Sequence, residues 1–145
     1  MTIAICCSAD FYAQANKTAD QLKELGYKVL VPKTADIMRG NGDYDVSHYK
    51  TWFDDSKDYK KKADLMRGHF EKITLSDCIL VINDKKHNQP NYIGGNVLME
   101  MAISFFLNKP IYILNEIPEK SGFLEEIKGM MPIVLHGQLS ALVTP

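Results

Sequence analysis

The 145-residue sequence predicts an α/β domain, with one five-stranded parallel sheet held between two layers of helices. Three observations predict it. Short apolar runs rich in β-branched residues recur along the chain: TIAICC, YKVLV, CILVI, PIYIL and PIVL. Stretches with helical spacing separate them. The first strand, helix and second strand fit within the first thirty-odd residues, the size of a βαβ unit with a right-handed crossover.

Thr2 to Cys7 is the first buried strand, and Ser8 follows it. Asp10 can cap the next helix, which runs roughly from Phe11 to Leu25. Ala15, Ala19, Leu22 and Leu25 supply its apolar stripe and Gly26 stops it. Tyr27 to Val31 is the second strand, and Thr34 to Arg39 can add a helical turn. Gly40 to Asp58 is a polar excursion with Tyr44, Tyr49 and Trp52 among charges. Such a segment is either a lid whose aromatics stack on a base or sugar, or a surface stretch packed on the domain or a partner subunit.

Tyr59 to Ile73 reads as a helix, with Lys60, Lys61 and Lys62 on a solvated face and Ala63, Met66, Phe70 and Ile73 at core spacing. His69 lies towards its end, where a histidine is commonly a surface or capping residue. Cys78 to Ile82 is continuously apolar, as a central parallel strand should be. Asp84 emerges at its carboxyl end, the edge where such sheets bind ligands. Pro110 to Leu114 is the fourth strand, with Asn115 at the same edge. A short helix from Ser121, its cap, to Met130 leads to an edge strand, Pro132 to Leu135. Leu139 to Val143 can close the chain with a turn. The whole, residues 1–145, reads as one domain, a flavodoxin-like or Rossmann-like three-layer sandwich.

Composition removes several function classes. A net charge of −1 gives no electrostatic case for a nucleic-acid polymer. No apolar run is long enough to span a membrane, and the N-terminus begins with a strand pattern and not a signal peptide. Three cysteines, two of them adjacent, form neither a secreted disulfide framework nor zinc-ligand spacing. A reduced cytoplasmic setting is expected. Neither GxGxxG after the first strand nor GxxxxGK[ST] occurs, so dinucleotide binding and P-loop hydrolysis are poorly supported. No metal and no cofactor are expected.

The chemistry centres on NYIGGNVLMEMAISFFLNKP, residues 91–110. It reads as a glycine-bearing loop that becomes a buried helix. Asn96, Glu100, Ser104 and Asn108 recur every four residues and so share one helix face. A carboxylate on a buried helix is costly unless paired or used. Glu100 therefore either faces a small polar pocket or pairs with a lysine or arginine of another element. Gly94 and Gly95 let a ligand approach the helix start, or only shape a turn.

A helix carrying Glu100, followed nine residues later by Lys109 and then a strand, resembles the nucleoside 2-deoxyribosyltransferase-like superfamily. That group includes deoxynucleoside-monophosphate N-glycosidases, and NYIGGNVLMEMA is similar to a branch of small members. The resemblance covers most of the chain. It implies that Glu100 attacks C1′ of a deoxyriboside, displaces the base and forms a covalent glycosyl-enzyme, which a second base or water resolves. It implies an ionised Glu100 beside a helix start and, by counting back eight residues from Asp77, His69 as the general acid in place of an aspartate. The family's aspartate six residues before the nucleophile is Gly94 here. Gly94, Gly95 and Asn96 offer backbone amides instead, which suits a 5′-phosphate, and Ser8 can add a hydroxyl. Asp84 and Asn115 are candidate contacts for sugar or phosphate because they stand where strands end. The expected ligand is a small nucleoside or nucleotide, and the expected assembly a homodimer or larger. A non-catalytic nucleotide-binding module is the alternative.

Overall fold

In the computed structural model, which describes residues 1–142, β1 (Thr2–Cys7) runs between β2 (Lys28–Leu30) and β3 (Cys78–Ile82). β4 (Ile111–Ile113) and β5 (Ile133–Val134) continue the sheet, giving the order 2-1-3-4-5 with every pairing parallel. The predicted α/β three-layer sandwich and its five strands are what the chain adopts. β5 lies at one edge, as its leading proline suggested, and β2 at the other.

Side-chain alternation divides the core in two. Ile3, Ile5 and Cys7 pack with Leu80 and Ile82 under α1 (Tyr12–Glu24) and α2 (Lys33–Asn41). Ala4 and Cys6 pack with Ile79, Val81 and Ile113 under α3 (Tyr59–Leu75), α4 (Gly95–Phe106) and α5 (Leu124–Gly129). Adjacent Cys6 and Cys7 thus belong to opposite faces of the sheet.

Two helices end in the same way. α1 closes at Gly26, whose φ is +90°, with Tyr27 N–H donating to Leu22 C=O and Gly26 N–H to Lys23 C=O. α4 closes identically at Asn108, φ +55°, with Lys109 N–H bonded to Ser104 C=O. Asn108 is therefore a helix terminator and not part of the polar row. The chain then places Lys109 where its ammonium donates to the carbonyls of Ile73, Thr74 and Ser76, capping the C-terminus of α3. This joins the two helices that carry His69 and Glu100.

Several local expectations are corrected. Thr34 to Arg39 lies within a full helix, α2, closed by Gly42 at φ +63°. Asp10 does not cap α1. It sits in a 3-10 turn, Ala9–Phe11, and its carboxylate pairs with Lys86 at 2.5 Å, a stronger use than an exposed cap. α5 begins at Leu124, because Ser121 accepts from Phe123 N–H and holds the preceding turn instead. The chain-closing turn is a 3-10 turn at Leu139–Ala141, and Val143 lies outside the described residues. α4 is buried on one side only: Met99, Phe105 and Phe106 are exposed, because no element among the described residues covers them. No helix among the described residues is long and apolar enough to cross a membrane.

Candidate functional site

α4 and α3 bring Glu100 and His69 together over the carboxyl half of β1. Both are buried, at 4% and 6% exposure. His69 Nε2 lies 3.9 Å from Glu100 Oε1 and 3.6 Å from Cys6 Sγ. On the outer side Asn96, one turn before Glu100, donates to its Oε1 at 2.9 Å, and Lys62 Nζ donates to Asn96 Oδ1 at 3.1 Å. Among the described residues, neither Glu100 Oε2 nor His69 Nδ1 has a hydrogen-bond partner. Among the described residues no lysine or arginine is ion-paired with Glu100, so the alternative of a core salt bridge is not what the fold builds.

Burial controls the charge of both groups. Desolvation pushes the Glu100 carboxyl up to about 8, against smaller downward pulls from Cys6, Lys62 and Asn96. The expectation of a carboxylate kept ionised by the helix start is thereby corrected. Glu100 is the sixth residue of α4, beyond the first turn where the helix dipole acts, and desolvation wins. Desolvation likewise lowers His69 to about 4, with Lys72 helping; the Ile5 backbone opposes this without making a well-aligned bond. His69 is a buried neutral imidazole in the middle of α3, not a surface or capping residue.

Glu100 and His69 line a cavity walled by α2, α3 and the excursion. Val46, Tyr49, Lys50 and Trp52 form its outer wall. The excursion is ordered by three 3-10 turns, at Val46–His48, Thr51–Phe53 and Ser56–Asp58. Trp52 is buried, and Lys62 lies over its ring at 5.5 Å. Trp52 and Tyr49 thus pack on the domain and wall the cavity, whereas Tyr44 accepts from Asn16 at 3.0 Å and does not line it.

A second cavity adjoins the first across Tyr12, Lys50, Lys62 and Asn96, which line both. Ser8, Gly94, Gly95, Asn96 and Lys86 also line it. Helix geometry leaves the first-turn amides of α4, at Gly95, Asn96 and Val97, without intrahelical partners, and all three residues face this space. Lys86 is fixed by a tight turn over Lys86–Gln89 with His87 and Asn88 both at positive φ; it donates to Ser8 Oγ at 2.8 Å. Lys50 and Lys62 are half-buried, and both are held below the usual lysine range. Desolvation is the main cause for each, with the neighbouring lysines adding to it at Lys50. Gly94 has an ordinary extended backbone, but a Cβ there would meet the Tyr92 hydroxyl at 3.1 Å and its ring at 3.2 Å, so the tyrosine occupies the space an acidic side chain would need.

Of the residues singled out from sequence, Glu100, His69, Asn96, Gly94, Gly95 and Ser8 line this pair of cavities. Asp84 and Asn115 do not. They bond to each other at 3.1 Å and with Asn83 tie the ends of β3 and β4 together. Sequence reasoning missed Cys6, Tyr12, Lys50, Lys62 and Lys86. Lys86 could have been found by the rule that selected Asp84, since both follow β3. Lys62 was assigned to a solvated face because three consecutive lysines hide which one points inward. No protein-family model matches the chain, and no curated protein matches it.

Proposed function

We propose that the protein transfers or hydrolyses the N-glycosidic bond of a nucleoside 5′-monophosphate, with Glu100 as the nucleophile. The observation that carries this reading is a buried carboxyl with an unpartnered oxygen, opening into a cavity whose neighbour is lined by three lysines and a helix N-terminus. A phosphate dianion suits the second space: Gly95 to Val97 offer amides, and Lys50, Lys62 and Lys86 offer charge. Sugar and base then extend into the first space, towards Glu100 and under Tyr49 and Trp52.

Glu100, having released its proton to solvent, attacks C1′; the C1′–N bond breaks, and the base leaves with the bonding pair and takes a proton from solvent; water or a second base then displaces Glu100 from C1′. Positive charge developing on the sugar favours the carboxylate in the transition state, although the free protein holds it neutral at pH 7. His69, itself neutral, does not hold the second proton that a general acid near pH 7 would give up. It serves here as a positioning residue beside the Glu100 carboxyl. The same charge states favour a second reading, a nucleotide-binding module without turnover, since the free protein ionises neither group.

Incubation with mixed deoxynucleosides and deoxynucleoside monophosphates, followed by mass spectrometry for free base, tests the proposal. Base should come from monophosphates, and Lys50→Met with Lys62→Met should raise KM for the monophosphate at least tenfold while changing little for the nucleoside. Preference for nucleosides would remove the phosphate assignment. Binding seen by thermal shift with no base released would select the module.

Self-association belongs to the same proposal. Met99, Phe105 and Phe106 form an exposed apolar row on α4, and Phe53 is 74% exposed on the excursion. Light scattering should return at least a dimer, reduced to a monomer by Phe106→Glu. A monomeric parent protein would exclude it.

A further inference from the structure

We propose that Cys6, His69 and Glu100 together bind one thiophilic divalent cation, zinc by preference. Three elements converge to make the site: Cys6 from the fifth position of β1, His69 from α3 and Glu100 from α4, all on one face of the sheet. Their ligand atoms lie within 4.8 Å of one another. Zinc bond lengths imply ligand-to-ligand separations of about 3.4 to 3.6 Å in a tetrahedron. Cys6 Sγ and Glu100 Oε1 lie 3.6 and 3.9 Å from the same atom, His69 Nε2, and the remaining separation is within 4.8 Å, so a rotation that brings the Cys6 and Glu100 side chains together closes the set.

A cluster of this kind is not by itself a site. The second observation is that Glu100 Oε2, on a side chain more than nine-tenths buried, has no partner. Such an atom costs free energy that a cation would recover. His69 and Glu100 both line the first cavity, which provides a path for the ion and room for water as fourth ligand.

Charge balances in the exchange. The dication enters, the Cys6 thiol and the Glu100 carboxyl each release one proton to solvent, and His69 coordinates as neutral imidazole. Dication, thiolate and carboxylate sum to zero, which a buried place tolerates far better than net charge. Sulfur and imidazole ligands select zinc or cobalt over magnesium or calcium. Lys62, hydrogen-bonded to Asn96 beside the cluster, opposes the ion. His69 Nδ1 also lacks an outer acceptor of the sort that tightens zinc sites. Micromolar affinity is expected.

Occupancy would take Glu100 away from substrate, so on the glycosyl-transfer reading the ion is an inhibitor; binding itself does not depend on that reading. Cobalt titration into the reduced, chelator-stripped protein should show thiolate-to-cobalt charge-transfer absorbance that saturates at one equivalent and is displaced by zinc. It should vanish in Cys6→Ser, weaken at least tenfold in His69→Gln and persist in Cys78→Ser. No such absorbance in the parent, or equal absorbance in Cys6→Ser, overturns the site. Should Cys6→Ser fail to fold, X-ray absorption of the zinc-loaded parent decides: one sulfur with nitrogen and oxygen neighbours supports the site, and a shell without sulfur overturns it. Base release in the same samples should fall with zinc and return with chelator. The cobalt signal without base release under any condition would leave the metal site standing and remove the glycosyl reading.

Discussion

Glu100→Gln should abolish base release while leaving the fold intact, a loss of about a thousandfold or more. Glutamine keeps the size of the side chain and can accept from Asn96 Nδ2, the bond now made by Glu100 Oε1 at 2.9 Å. It cannot form a glycosyl ester. The same substitution separates chemistry from architecture. Were Glu100 a structural ion, its loss would cost on the order of 3 kcal/mol or more. No lysine or arginine is ion-paired with it among the described residues, and burial holds it neutral at pH 7 while the unfolded chain ionises it, so the variant should fold at least as stably as the parent. A 2′-fluoro-arabinosyl substrate analogue should label Glu100 in the parent and nothing in the variant. Undiminished turnover in the variant would end the nucleophile assignment, and a large drop in melting temperature at pH 6.5 would end the non-structural one.

Stability should fall as pH rises from about 6.5 to 8, and Glu100→Gln should remove most of that fall. The sign follows from two opposed groups. Glu100 titrates near 8 in the folded protein against 4.5 when exposed, so between these values the unfolded chain has released a proton that the native state keeps. Its contribution is full below 4.5 and is lost as pH climbs through 8. His69 titrates near 4 against 6.5, so its contribution is full above 6.5 and is lost as pH falls towards 4. From 4.5 to 6.5 the two slopes roughly cancel. Above 6.5 Glu100 contributes about 1.4 kcal/mol per pH unit, or about 2 kcal/mol across the interval, and the exposed His48, held above its usual range by Asp43, adds a fall of the same sign that parent and variant share. Chemical denaturation of parent and variant at pH 6.5 and 8 measures this. Equal slopes in the two proteins would show that Glu100 is not the group. Turnover should move the opposite way, with kcat/KM rising towards pH 8 as the nucleophile ionises. Cys6, Cys7, Tyr12, His69, Asn96 and Lys62 are the polar groups around that carboxyl.

Much of this protein is written in local pattern. Five apolar runs, a helix spacing between them and a strand-helix-strand unit near the start determine the parallel sheet, because these signals depend on neighbours a few residues apart. The four-residue spacing from Asn96 to Ser104 placed Glu100 on an inward helix face before any coordinates. Pairings between distant elements are not legible in this way. His69 reads as a surface or capping residue until α3 is laid beside α4 by their packing and by Lys109 across the end of α3. Lys50, Lys62 and Lys86 come from three segments and meet only at one cavity. Above all, the charge of Glu100 was misread. A helix start argues for an anion, whereas enclosure by β1, α3 and the excursion argues for a neutral acid. Desolvation depends on everything that surrounds the group, and only the tertiary structure contains that sum.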